Sequence, residues 1–172
     1  LSHGVELTTG SLGHGLSVGA GMAYGLRLRE QKDSRVVVLL SDAELNSGST
    51  WEAVMFASHH HLSNLLAVVD MNGLQAYGRT RDVIALEPID KKWKEFGWRT
   101  IVADGHNVTR LTNAYAKASE EKKKPTVVFA RTTGGKGVSY MENLVDWHYW
   151  PMDKEKYQKA REDIARLYKK SI

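Results

Sequence analysis

Cysteine is absent from the 172 residues, and no apolar stretch approaches the roughly 20 residues that a membrane span needs. Without cysteine the chain has no disulfide framework, no thiolate zinc site and no cysteine nucleophile, which fits an intracellular protein. No signal-peptide pattern opens the chain. These absences predict a soluble, cytoplasmic protein without a membrane partner.

Blocks of like charge are also lacking, although the formal net charge is +4. Basic residues alternate with acids, as in KASEEKKKP and KKWKEF, which is typical of solvated helix faces and not of a nucleic-acid-binding stripe. Neither GxGxxG nor GxxxxGK[ST] occurs, so the dinucleotide fingerprint and the P-loop are excluded. We predict no nucleic-acid partner.

The length and the 42% hydrophobic content suffice for one sizeable core. No repeat, low-complexity tract or linker divides the chain, so we interpret residues 1–172 as a single domain. The first residue is Leu1 and not Met, which suggests a piece of a longer protein with a segment upstream.

Short runs rich in Val and Leu predict strands at residues 36–40, 65–69 and 127–130, with a further short strand near 98–102. The three main runs do not alternate, which favours burial on both faces of a parallel sheet. Helical periodicity covers residues 11–30, 49–62, 108–123 and 153–170, with Asp153 as an N-cap. The alternation predicts an α/β fold with a doubly wound, mostly parallel sheet flanked by helices.

Polar side chains follow two of the predicted strands. Asp42 and Asn72 stand where ligands bind in open parallel sheets, outside the carboxyl ends of the strands. Their oxygens, with a backbone carbonyl from the NGL turn, suit Mg²⁺ or Ca²⁺ shared with phosphate oxygens. The alternative is that Asp42 caps the next helix and Asn72 belongs to a turn beside Gly73.

Two glycine-containing segments have more than one interpretation. The glycines of TTGSLGHGLSVGAG allow either a ligand or a neighbouring sheet to approach the backbone closely. Residues 71–88, which contain NGLQAYGR, are too long for an ordinary connection and suggest a ligand-binding loop.

The histidines divide into two groups. His59, His60 and His61 are consecutive on a predicted helix and therefore cannot converge on one metal ion. His148 follows the Gly/Lys-rich segment TTGGKGVSYMEN, where either a functional imidazole or a ring packed among neighbouring aromatic residues is consistent with the sequence.

Four motifs together carry a family resemblance: VELTTGSLGHGLSVGAGMA, SDAELNSGSTWEA, NLLAVVDMNGLQAYG and GGKGVSYMENLVDWH. In order and spacing they resemble the thiamine-diphosphate-binding domain of the transketolase family, in particular the amino-terminal subunit of two-chain transketolases. The resemblance implies transfer of a two-carbon ketol unit between sugar phosphates, a reaction of carbohydrate metabolism.

The resemblance also implies functional residues, position by position. They are Asp42, the Asn72 side chain and the Leu74 carbonyl as ligands of Mg²⁺ or Ca²⁺, Gly10 and Leu12 beside the thiamine, Ala43 near the diphosphate, Ala76 in the ring pocket, and His148. His148 corresponds to the family histidine that touches the diphosphate and helps to handle protons, which makes it the implied catalytic residue.

Several positions depart from the family pattern. They are Ser41 and Ala43 in place of the glycines of GDG, Ser47 in place of a glutamate, Tyr77 in place of an acid, and Tyr149 in place of a glycine. The added methyl group of Ala43 implies weakened cofactor binding. The family glutamate missing at Ser47 belongs to a carboxylate network between active sites, of which Glu52 is the surviving neighbour.

The family's activating glutamate belongs to a pyrimidine-binding domain for which this chain has no room. The resemblance therefore implies a homo- or hetero-oligomer with a partner chain that carries this domain. Trp51, Met55 and Phe56 are interface candidates that could equally pack in the core. Two alternatives remain: a non-catalytic assembly or regulatory homologue, and a deoxyxylulose-phosphate-synthase-like relative.

Overall fold

A four-stranded parallel sheet forms the centre of the computed structural model, which describes residues 4–31 and 33–169. In chain order the strands of this sheet are β1 (Val36–Ser41), β2 (Leu65–Met71), β5 (Arg99–Asp104) and β6 (Thr126–Arg131), and in space their order is β1-β2-β6-β5. A small antiparallel pair, β3 (Leu74–Gln75) and β4 (Gly78–Arg79), follows β2. The predicted α/β fold with a parallel sheet is confirmed.

Helices precede, connect and follow the strands. They are α1 (Gly15–Leu28), α2 (Gly48–His59), α3 (Thr80–Val83), α4 (Ile89–Glu95), α5 (Val108–Glu120) and α6 (Lys154–Lys169), with 3-10 helices at Asp42–Asn46 and Val145–His148. In the described residues, no helix has both the length and the apolar character required to cross a membrane.

The helix termini confirm one prediction made from the sequence and contradict another. Asp153 Oδ1 accepts a hydrogen bond of 2.8 Å from the backbone N–H of Lys156, which confirms the predicted N-cap. The predicted start of the first helix at residue 11 is wrong, because α1 begins at Gly15. Gly13 has φ = +83°, a value that an α-helix cannot contain, so residues before it form a loop.

Each face of the sheet carries its own set of helices. On one face, α1, α2 and α4 bury the main core, which includes Leu16, Val54, Trp93 and Phe129. On the other face, α5 packs Ala114 against β5 and β6. This arrangement leaves the carboxyl ends of the strands, and the loops that follow them, free to form a site.

The prediction that the first strand is buried on both faces is wrong. Val36, Val38 and Leu40 are buried, whereas Val37 is 63% exposed and Leu39 is 73% exposed. The reason is that β1 lies at an edge of the sheet while α5 packs at the opposite end of this face, so the described part of the chain leaves Val37 and Leu39 uncovered.

Candidate functional site

Asp42 connects the ends of two neighbouring strands. It follows β1 directly, and its Oδ2 atom accepts hydrogen bonds from the backbone N–H of Gly73 at 2.7 Å and from the Thr80 hydroxyl at 3.2 Å. Gly73 follows β2, which pairs with β1 in parallel register. The buried Asp42 carboxylate therefore joins the two loops that the sequence predicted to lie together.

The second oxygen of this carboxylate, Oδ1, is buried and has no hydrogen-bond partner in the described part of the chain. The pKa of the Asp42 carboxyl is raised above its ordinary value, chiefly by burial. The charge of Asp70 also raises it, whereas the hydrogen bonds from Gly73 and Thr80 act in the opposite direction. A buried acceptor without a partner beside a second acid is an electrostatic setting that a cation would stabilise. The residues present thus fit a bound metal ion.

Such a cation would need more than carboxylates. Among residues 4–31 and 33–169, no three His, Asp or Glu side chains come together as a metal-ligand group. Asn72 Oδ1 accepts the Leu74 N–H at 2.8 Å, as in a turn, and an amide oxygen has a second acceptor site that remains for a ligand. The turn role and the metal-ligand role of Asn72 are therefore compatible.

Strand β3 lies between the two 3-10 helices and brings the later segment of the chain to the site. Asn46 Nδ2 donates to Gln75 Oε1 at 3.2 Å. A Cβ atom added to Gly134 would lie only 2.9 Å from Leu74 Cδ1, so the loop after β6 passes against Leu74. The 3-10 helix Val145–His148 contacts β3, which brings the segment carrying His148 to the same end of the sheet.

The His148 ring is exposed and stacks on Tyr149, with ring centroids 4.6 Å apart and an interplanar angle of 9°. Tyr149 thus supports one face of the imidazole. The structure does not bury His148 among its aromatic neighbours.

The loop that contains Gly10 and Leu12 is attached to the Asp42 segment. Both residues are exposed, and Gly13, which follows them, donates its N–H to Glu44 Oε1 at 3.2 Å. Ser49 Oγ donates to the Gly13 carbonyl at 2.7 Å. Ala43 and Ala76 are half-buried.

Three residues of this site, Glu44, Ser49 and Thr80, were not expected from the sequence. Glu44 had a visible signal, because Ser41 and Glu44 form the S-x-x-E pattern of a capping box, which the structure contains. Ser49 and Thr80 gave no such signal, since each reaches its partner only through the tertiary fold.

A cavity of about 340 Å³ adjoins Asp42. Residues of the predicted ligand loop, among them Thr80, form part of its wall, and Arg79, Arg81 and Arg131 also line it. Guanidinium groups beside a carboxylate suit a ligand that carries both phosphate oxygens and a cation. Of the residues predicted from the sequence, Asp42 lines this cavity, whereas Gly10, Leu12, Ala43, Asn72, Leu74, Ala76 and His148 do not.

Comparison with known families decides the assignment. The profile of the family described as "Transketolase, thiamine diphosphate binding domain" matches residues 1–166. The chain belongs to the transketolase family. The resemblance inferred from four motifs is thereby confirmed.

Relatives of this transketolase-family chain include subunits of two bacterial enzymes. It is 37% identical over 167 residues to one subunit of the apulose-4-phosphate transketolase of Phocaeicola vulgatus, covering 97% of this chain and 59% of the relative. It is 34% identical over 166 residues to the 6-deoxy-6-sulfo-D-fructose transketolase subunit SqwG of Clostridium sp., covering 96% and 59%. The chain thus spans less than two thirds of either relative.

A solved structure supports the same fold. The transketolase of Campylobacter jejuni superimposes with a TM-score of 0.86 at 27% identity, covering 94% of this chain and 26% of that one. The transketolase of Pichia stipitis in complex with sedoheptulose-7-phosphate gives a TM-score of 0.76 at 26% identity, covering 96% and 29%.

Proposed function

We propose that this chain is the thiamine-diphosphate-binding part of a transketolase-type enzyme that transfers a two-carbon ketol unit between sugar phosphates. The observation that carries the proposal is the buried Oδ1 atom of Asp42, which has no partner among the described residues and stands where the family resemblance implies a metal ligand. We further propose that residues 1–172 form one domain and that the enzyme acts in the cytoplasm.

The residues that would hold the cofactor are those that the family resemblance implies. Asp42, Asn72 and the Leu74 carbonyl would bind Mg²⁺ or Ca²⁺, with Ala43 near the diphosphate, Gly10 and Leu12 beside the thiamine, and Ala76 in the ring pocket. When bound, thiamine diphosphate supplies the nucleophilic carbon and the electron sink for cleaving the bond next to a ketone. The protein supplies charge neutralisation and orientation around it.

His148 is the proposed catalytic residue. Its imidazole is exposed to the solvent side of the site, and stacking on Tyr149 restricts the orientation of the ring. An imidazole can donate a proton to a substrate oxygen or accept one from it.

A partner that carries a pyrimidine-binding domain would complete the site. Relatives named as subunits support this proposal. On α2, Met55 is 48% exposed and Phe56 is 39% exposed, and both are available for such an interface. Trp51 is not equivalent, because it packs against the core and its Nε1 donates to the Leu45 carbonyl at 2.8 Å.

A second candidate, an assembly or regulatory role without catalysis, is favoured by the changed residues near Asp42. Ser47 stands where the family has a glutamate, and a Cβ atom added to Gly13 would lie 2.4 Å from Ser47 Cβ. This contact gives Ser47 a packing role in place of a charged one.

The relatives named above are transketolase subunits, which supports ketol transfer over a deoxyxylulose-phosphate-synthase-like reaction.

The proposal is tested by calorimetric titration of thiamine diphosphate with Mg²⁺ into the chain alone and into the chain with its partner. Asp42→Ala should abolish binding. Asp104→Asn is a matched control, because Asp104 also ends a strand of the sheet but lies exposed outside the site. Tight binding without turnover of sugar phosphates would favour the non-catalytic role, and binding that survives Asp42→Ala would contradict the assignment.

A further inference from the structure

The buried carboxylate of Glu44 binds two separate segments of the chain. Its Oε1 atom accepts the backbone N–H of Gly13 at 3.2 Å. Its Oε2 atom accepts the Ser41 N–H at 2.9 Å and the Ser41 hydroxyl at 3.3 Å. Glu44 thus connects the loop before α1 to the end of β1, and it does so two positions from Asp42.

Gly13 is held from its other side as well. Its carbonyl oxygen accepts the Ser49 hydroxyl at 2.7 Å, and Ser47 leaves no room for a Cβ atom at this glycine. Both backbone hydrogen-bonding groups of Gly13 are therefore satisfied by residues 44–49. With φ = +83°, this position suits glycine and restricts the path of the loop on either side.

The rest of the loop has sparse contacts. Gly10 is exposed, and a Cβ atom built on it would meet no atom within 4 Å. The Thr9 hydroxyl accepts the Ser11 N–H at 3.0 Å, a contact that stays within the loop. The path of residues 9–12 consequently depends on the anchor at Gly13.

We propose that Glu44 is a positioning residue that sets the placement of the Gly10 and Leu12 loop relative to Asp42, with Ser49 as the second contact of the same anchor. The inference rests on the proposed function, in which the loop contacts the thiamine and Asp42 the metal-bound diphosphate. A charged acceptor in a buried setting forms stronger hydrogen bonds than a neutral one, so Glu44 prepares both ends of the cofactor site before binding.

The test combines cofactor affinity with hydrogen exchange of backbone amides. Glu44→Gln keeps the size of the side chain but replaces one acceptor oxygen by a donor, so at least one of the two segments is released. We expect the half-saturating concentration of thiamine diphosphate to rise about tenfold in the partner complex, with kcat at saturating cofactor changed less than about twofold. Exchange at Gly13 or Ser41 should accelerate, whereas exchange at Val69 should not.

Two further variants complete the design. Ser49→Ala removes the second contact of Gly13 and should raise the half-saturating concentration about threefold, and its effect should not add to that of Glu44→Gln because both act on one anchor. This variant keeps the inference testable if Glu44→Gln does not fold. Glu120→Gln, at an exposed acid on α5, is the control that should change nothing.

Three results would overturn the inference. A lower Tm for Glu44→Gln with unchanged cofactor affinity would show that Glu44 acts only as a helix cap. Unchanged exchange at both Gly13 and Ser41 would show that Glu44 does not hold these two segments. If the wild-type complex binds no thiamine diphosphate, the proposed function fails and the positioning role fails with it, while the exchange data still report separately whether Glu44 holds the loop.

Discussion

Asp42 accepts a hydrogen bond of 2.7 Å from the backbone N–H of Gly73, so the end of β1 is bonded directly to the turn that follows β2. The parallel pairing of Ser41 with Asp70 brings these two positions to the same edge of the sheet. The geometry around the proposed metal is therefore set by the register of two strands, and it can be tested separately from catalysis.

Asp42→Asn should have opposite effects on binding and on stability. Loss of the charged ligand should weaken Mg²⁺-dependent binding of thiamine diphosphate. The loss should be at least about 10- to 100-fold, which is the usual effect of removing a group that only supports a metal ligand. In the metal-free chain, the amide oxygen can still accept the bonds from Gly73 and Thr80 while the buried charge near Asp70 disappears. We expect the free energy of unfolding to rise by about 1 kcal/mol.

Denaturant unfolding with and without Mg²⁺ and cofactor measures both effects of Asp42→Asn. The matched substitution Asp104→Asn, at an exposed strand end, should leave binding intact. A metal-free Asp42→Asn chain that is less stable than the wild type would show that the carboxylate is not electrostatically unfavourable.

Neighbouring leucines of β1 should respond very differently to truncation. Leu40→Ala removes a buried core side chain and should cost about 2–5 kcal/mol of unfolding free energy. Leu39→Ala, on the uncovered face, should change it by no more than about 0.5 kcal/mol. Chemical denaturation of both variants checks the prediction, and a large cost for Leu39→Ala would mean that this face is covered in solution.

Met55→Lys should weaken association with the partner chain if α2 contributes to the interface. A charge placed in an apolar interface is left without a partner, so the dissociation constant should rise about tenfold or more. Because Met55 is half exposed, the Tm of the isolated chain should change little. Sedimentation or titration of the two chains measures the effect.

Val108→Lys is the matched control for the interface, since Val108 is an exposed apolar residue on α5. It should leave association unchanged. Equal losses for the two variants would point to a general effect of added charge, and no loss for Met55→Lys would remove α2 from the proposed interface.

Asp163 should make the stability of the α6 region depend on acid pH. Its carboxylate accepts bonds from Lys159 Nζ at 2.8 Å, from the Ser139 hydroxyl at 2.6 Å and from the Ser139 N–H at 3.0 Å, which hold the pKa of Asp163 below its ordinary value. A lowered pKa means that the folded state binds the proton less readily than the unfolded state. The stabilisation is therefore complete above the ordinary value of 3.8 and fades as the pH falls below it.

The difference in Tm between the wild type and Asp163→Asn, measured from neutral pH down to acid pH, tests this dependence. It should be largest near neutral pH and shrink below about pH 3.8. Glu162→Gln is the neighbouring control, because Glu162 forms an exposed ion pair with Arg166 at 3.6 Å, and such pairs contribute little. A difference that stays constant with pH would show that the Asp163 contacts do not stabilise the fold.

The positions of the strands were predictable because their sequence is locally informative. The run that starts at Leu65 is apolar and rich in valine, and it forms β2 as predicted, although the strand continues to Met71. Gly13 shows the limit of such reasoning. Its neighbours fit a helical pattern, but its positive φ places the start of α1 later, and glycine alone does not tell which conformation the backbone adopts.

The contacts around the site were less predictable than its location. Thr80 reaches Asp42 across a turn, and Glu44 reaches Gly13 from a different segment of the chain. Neither contact leaves a periodic pattern, because residues far apart in sequence meet only after the strands have paired. The uncovered side of β1 could not be predicted for a similar reason. A run of valine and leucine does not indicate whether its strand lies at the edge or at the centre of a sheet.

By itself, the sequence determined the family, the α/β class and the two strand ends that carry Asp42 and Asn72, because motif spacing and apolar runs are properties of the linear chain. Only the tertiary structure decided the strand order β1-β2-β6-β5, the burial of an Asp42 oxygen that no described residue bonds, and the anchor between Glu44 and Gly13. These features depend on which surfaces meet when the core forms, and burial then determines which polar atoms find partners and which remain for a ligand.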